Sequence, residues 1–257
     1  MQDLTVRSEN LQRIYGYYTS NKFLVNRRYQ RKLIWTIEEK SAFINSIMNG
    51  YPVPLILLAE VNYDNTSVYE IIDGMQRLNA IVSFIEGEFS VEGEYFDLES
   101  MAETKLMLDN GKLEQCEPKM SREKCTNIAS YVLPLSIYKM ENESQIDEIF
   151  RRINSNGKHL SKQEIRQAGA ISSFAEIVRE ISSEIRGDTS LKETLLLNNM
   201  NKISITNREL KYGINVDTVF WIDNTIIRRE QVRESKDEEI IADILAYTLM
   251  KDKPGSS

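Results

Sequence analysis

The chain has 257 residues, 41% hydrophobic and 28% charged, which is enough to bury one large core or two small ones. Its net charge of −7 confines any nucleic-acid contact to a local basic patch. A single histidine, His159, excludes histidine-rich metal centres and HNH nuclease chemistry, and the two cysteines, Cys116 and Cys125, read as reduced thiols.

In chain order, residues 8–18 predict a helix with Ser8 as its cap and Leu11, Ile14, Tyr15 and Tyr18 on one face. A basic stretch follows, NKFLVNRRYQRKLIW. Thr36 and Glu39 then form a capping box for a helix that Gly50 closes. The prolines of YPVPLILLAEV forbid helix and introduce a short buried strand, and TSVYEIID is a second strand rich in sheet-forming residues. From Gly74 a helix runs to Ile85, with Leu78, Ile81, Val82 and Ile85 at helical spacing and Gly87 at its end. Residues 88–127 carry no clear pattern, and YVLPLSIYKM predicts a further strand. Helix starts follow near Glu143, at Ser161, near Ser172, at Thr206 and near Lys236. The fold class is α+β: a mixed αβ domain over residues 1–140, then an all-helical region over 141–257 packed on it. The polar start MQDLTVRSEN and the lack of a long apolar run predict neither signal peptide nor membrane span, hence a cytoplasmic protein.

The joint IIDGMQR holds more polar chemistry than a tight turn requires. A helix N-terminus presents unpaired backbone N–H groups and a partial positive charge, and Gly74 lets an anion approach them. Arg77, one turn in, can add a charge-assisted contact to the same anion. Asp73 repels phosphate directly but can hold a divalent cation shared with it or orient a water, and Gln76 offers a donor and an acceptor. A plainer alternative stands beside this one: Asp73 caps the helix and Arg77 pairs with Asp73.

Four ordered stretches resemble the GmrSD N-terminal domain family. YEIIDGMQRLNAI is similar to its DGQQR signature, RRYQRKLIW to its YQR…W element, INSIMNGYPVPLILL to its helix-Gly-x-Pro-x-Pro-strand passage, and IFRRINSNGKHLSKQEIRQA to its F-x-R…N…G…L…E element. The resemblance implies a ParB/sulfiredoxin-like core in which the strand-to-helix turn binds nucleotide phosphate. It also implies a role in bacterial defence against phage and modified DNA, with nucleotide hydrolysis and, in some relatives, DNA nicking. Carried over by position, Asp73, Gln76 and Arg77 are the catalytic candidates. Gly74, Arg28, Arg31, Arg152 and Asn154 are the nucleotide-binding candidates, and Asp73 is the candidate ligand for Mg²⁺. GTP or ATP is the expected nucleotide. Met75 departs from the motif, where the family has a glutamine that could bond phosphate or water, so binding is expected to survive better than hydrolysis.

Arg27 and Lys32, with Lys162 and Arg166 further on, form a weaker candidate surface for DNA backbone. Their plain reading is a solvated charge run. The length leaves no room for a further C-terminal nuclease domain, so a nuclease partner subunit or a missing nuclease domain is expected alongside nucleotide and DNA. A homo-oligomer and the absence of any membrane partner complete the expectations.

Overall fold

The computed structural model describes residues 4–27, 30, 32–139, 149, 173–188, 190, 193–203, 205 and 213–249. Six strands make one sheet: β1 (Leu4–Asn10), β2 (Phe23–Asn26), β3 (Ile56–Tyr63), β4 (Thr66–Asp73), β5 (Val132–Lys139) and β6 (Thr194–Leu196). Their spatial order is β1-β5-β3-β4-β2-β6. The β5–β3 and β4–β2 neighbours run parallel and the other pairs antiparallel, so the fold is mixed α+β.

Alternation along the strands divides their side chains between two faces. Ile56, Leu58, Ile71, Leu133, Leu135 and Ile137 face the main core, which is covered by α1 (Leu11–Thr19), α2 (Ile37–Met48), α3 (Met75–Ile85) and α5 (Arg122–Ser130). Leu57, Ala59 and Ile72 form a smaller cluster on the opposite face with Tyr138 and Ile149. The capping box of α2 is present, with Thr36 Oγ1 accepting from the Glu39 N–H and Glu39 answering to the Thr36 N–H. The stretch without a readable pattern contains α4 (Ala102–Asp109) and α5.

Two expectations change. Ser8 lies in β1, opposite Pro134 of β5, and Asn10 caps α1 by accepting from the Arg13 N–H at 2.8 Å. Pairing with β5, distant in sequence, overrides the local cap signal at Ser8. The described part of the C-terminal region is helical but also contributes β6, which pairs antiparallel with β2 from beyond residue 140. The helix starts expected near Glu143, at Ser161 and at Thr206 lie outside the described residues.

The C-terminal region has its own core of Val178, Val216, Trp221, Ile227, Val232 and Ile241, onto which Ile34 packs. Helix Ser173–Ile185 is fixed to helix Lys236–Leu249 by Arg186, whose Nη1 donates to Asp237 Oδ2 at 2.7 Å and Glu238 Oε1 at 3.3 Å. All three side chains are buried. Both cysteines are free thiols. Among the described residues no helix is long and apolar enough to cross a membrane.

Candidate functional site

The turn between β4 and α3 is shaped by three local devices. The β3–β4 register slips between Leu57, opposite Asp73, and Leu58, opposite Ile71, so Ile72 is an extra residue just before the turn. Such a bulge bends the strand and redirects the side chain beside it. Gln30 Nε2 donates to the carbonyl of Ile72 at 2.7 Å, satisfying a backbone group at the irregularity. Gly74 then adopts φ +102°, which favours glycine, and a Cβ there would stand 2.4 Å from Cδ1 of the fully buried Ile56. Gly74 caps α3 without any side-chain hydrogen bond, so no cap side chain occupies the helix N-terminus.

The motif residues divide sharply by direction. Met75 turns into the main core and is 5% exposed. Its departure from the family glutamine therefore falls on a packing position, and bears less on the chemistry of the turn than the sequence implies. Gln76 also points toward the chain. Its Oε1 accepts from the N–H groups of Ile34 at 3.0 Å and Trp35 at 3.2 Å, and its Nε2 donates to the Lys32 carbonyl at 3.0 Å. The carboxamide thus ties the DGMQR turn to the YQR…W segment, and in this structure it serves as a staple.

Asp73 and Arg77 face the other way. Arg77 Nη1 donates to the Leu55 carbonyl at 2.7 Å, and Nη2 donates to Asp73 Oδ2 at 2.5 Å. The Arg77 side chain is 11% exposed and that of Asp73 is 48% exposed. The plainer sequence reading, an Asp73–Arg77 pair, is therefore present at the mouth of the turn. Nη2 would also lie 3.5 Å from a Cβ built on Gly74, so the guanidinium sits beside the glycine and the helix end. A helix N-terminus without a side-chain cap, a glycine and a guanidinium together suit an anion.

The family model for the GmrSD restriction endonuclease N-terminal domain matches residues 11–171, more than half of the chain. The chain belongs to this family. It is accordingly a restriction-system domain, and the matched span contains the turn, the YQR…W segment and strands β2 to β5. No match was found among curated proteins. Asp73, Gly74 and Arg77 converge at the turn, while Gln76 is adjacent but engaged. Arg28, Arg31, Arg152, Asn154, Lys162 and Arg166 lie outside the described residues.

Arg27 and Lys32 do not form an exposed basic edge. Arg27 pairs with the buried carboxylate of Asp188 and donates to the Ser190 carbonyl at 2.6 Å. Lys32 is 6% exposed, and its ammonium donates to the Val232 carbonyl at 2.6 Å and Ser235 Oγ at 3.0 Å. Both cations are turned onto the C-terminal region, which explains how these two basic residues avoid solvent.

Among the described residues no group of three or more metal-ligating side chains could hold a metal ion. Asp73 alone offers a carboxylate at the turn, and Arg77 already contacts it. Such a donor set fits Mg²⁺ arriving with phosphates, which needs one or two protein carboxylates, better than a cation held by a protein cage.

The sequence gives no role to Gln30, the Leu55 carbonyl or Ile56, yet these shape the turn. Only Gln30 carried a signal, through its place in the YQR element. Just past the end of α3, the half-buried Glu86 accepts from the Tyr15 hydroxyl at 3.2 Å. Burial, reinforced by Glu88, pushes its carboxyl up to about 7. Lys40 from α2 packs against Ser83 and the Phe89 ring, and burial pushes it down to about 8.

Proposed function

We propose that this domain binds a nucleoside triphosphate, GTP or ATP, at the β4–α3 turn and hydrolyses it within an anti-phage restriction system. The supporting observation is the convergence of the α3 N-terminus, which has no side-chain cap, Gly74 at φ +102° and the Arg77 guanidinium on one side of the turn. Backbone N–H groups after Gly74 and the Arg77 guanidinium would receive phosphate oxygens, and positioning with charge neutralisation supplies most of the catalysis in such reactions. Asp73 would orient the attacking water or take a coordination position on Mg²⁺, which when bound neutralises charge between phosphate oxygens. Gln76 acts one step back, by fixing the segment 32–35 against the turn.

A second reading is a nucleotide-gated module that binds DNA or a partner without turnover. The engagement of Gln76 by three backbone groups favours it, because its carboxamide oxygen is fully committed and cannot accept from a water. DNA cleavage would then belong to a nuclease partner or to a further nuclease domain. Thermal shifts with ATP, GTP, CTP and UTP, with and without Mg²⁺, test both readings. At least one nucleotide raises the melting temperature of the unmodified chain, and Arg77→Ala abolishes that rise. Phosphate release from the stabilising nucleotide identifies the hydrolase; stabilisation without release identifies the module. No shift with any nucleotide removes both.

A further inference from the structure

Arg77 is held by two partners of different character. Nη1 is fixed to the carbonyl of Leu55, a backbone group at the entry to β3, at 2.7 Å. Nη2 is held by the Asp73 carboxylate at 2.5 Å, and the Asp73 side chain is half exposed. It is this second arm that stands beside Gly74, 3.5 Å from where a Cβ would lie. A phosphate docking at the helix end would therefore meet the Nη2 group that the Asp73 carboxylate already engages. Carboxylate and phosphate oxygens both accept charge-assisted hydrogen bonds from guanidinium, so the two compete for one donor set.

We infer that Asp73 is an internal competitor of the anion, a carboxylate that restrains and masks Arg77 until a ligand displaces it. The inference rests on the anion-site reading above. Binding becomes an exchange: the Arg77–Asp73 contact opens, the Leu55 contact stays as a pivot, and Nη2 turns to the ligand. Only hydrogen bonds are exchanged, and no covalent bond is made or broken. A weak monoanion cannot offset the loss of the carboxylate contact and its repulsion by Asp73. A polyphosphate can, because the helix end and the freed guanidinium act on it together. Masking thus selects for polyphosphates over the chloride and monophosphate that surround the protein.

Calorimetric titration with inorganic tripolyphosphate in EDTA reads this without any base, metal or turnover. Asp73→Asn keeps the shape of the side chain and is expected to bind roughly tenfold tighter than the unmodified chain. Arg77→Ala is expected to lose binding, and adding Asp73→Asn to Arg77→Ala restores nothing. Asp73→Ser, with circular dichroism on every variant, provides a second folded probe should the asparagine variant misfold. Equal or weaker binding by the folded Asp73 variants overturns the inference. So does a gain that persists in the Arg77→Ala background, since like-charge repulsion alone would then account for it. If Arg77→Ala binds as well as the unmodified chain, the anion-site reading itself fails, and the two failures are told apart.

Discussion

Arg186 and Arg77 both hold carboxylates, and they do so in opposite settings. Arg186 sits 3% exposed between Asp237 and Glu238, both fully buried, and joins two helices of the C-terminal region. Arg77 holds Asp73 four residues away at the mouth of a turn, where the carboxylate is half exposed. The contacts are chemically alike. In the buried cluster water cannot replace a lost partner, so breaking it strands a charge in a poor solvent. At the turn, water or another anion can take over, so the contact is exchangeable. Exposure, more than hydrogen-bond length, separates a structural ion pair from one available to a ligand.

That contrast can be broken by experiment. Arg186→Ala should cost about 3–5 kcal/mol of stability in chemical denaturation, leaving Asp237 and Glu238 without the guanidinium. A loss below about 1 kcal/mol would mean that burial does not decide the matter. Glu86 is a further test, as a half-buried carboxyl with a hydroxyl partner and a neighbouring like charge. Its folded-state pKa lies above the unfolded one. The stability tied to its proton is therefore present below about 4.5 and is lost as pH rises to about 7. Over that interval Glu86 should remove at most about 3 kcal/mol. Glu86→Gln should flatten this part of a stability–pH profile and keep the contact to Tyr15.

Gln76 sharpens the comparison from within the motif. Gln76→Leu leaves two N–H groups and one carbonyl of the 32–35 segment without their partner, and should cost about 2 kcal/mol. The smallest effect on stability is expected for Arg77→Ala, less than about 1 kcal/mol, although the same change should abolish anion binding. A stability loss as large as that of Arg186→Ala would show that the pair at the turn is structural after all.

The elements that local chemistry specifies were legible in the sequence. The Thr36–Glu39 box, the spacing of Leu78, Ile81, Val82 and Ile85, and the strand ending at Asp73 need only near neighbours. Strand β1 was hidden because its partner, β5, lies more than a hundred residues away and Ser8 imitates a cap. Three residues of β6 carry no pattern at all. At the site, Gly74 and Arg77 announced an anion grip through residue type and spacing. The inward turn of Gln76 and Met75 could not be read, because motif letters do not state direction. Arg27 and Lys32 misled for a related reason. Basic residues normally face water, and here Asp188, Ser235 and backbone carbonyls from distant segments receive these two.

The three residues of β6 also set the order in which the molecule can assemble. Leu24 of β2 pairs with Leu196, and Leu195, Leu197 and Met200 fill the main core beside the first helices. As the chain leaves the ribosome, β2 is made early, yet its outer edge has no partner until most of the polypeptide has emerged. Closure of the sheet is therefore a late, non-local event, and the half-made domain carries an open edge and an unfilled core in the meantime.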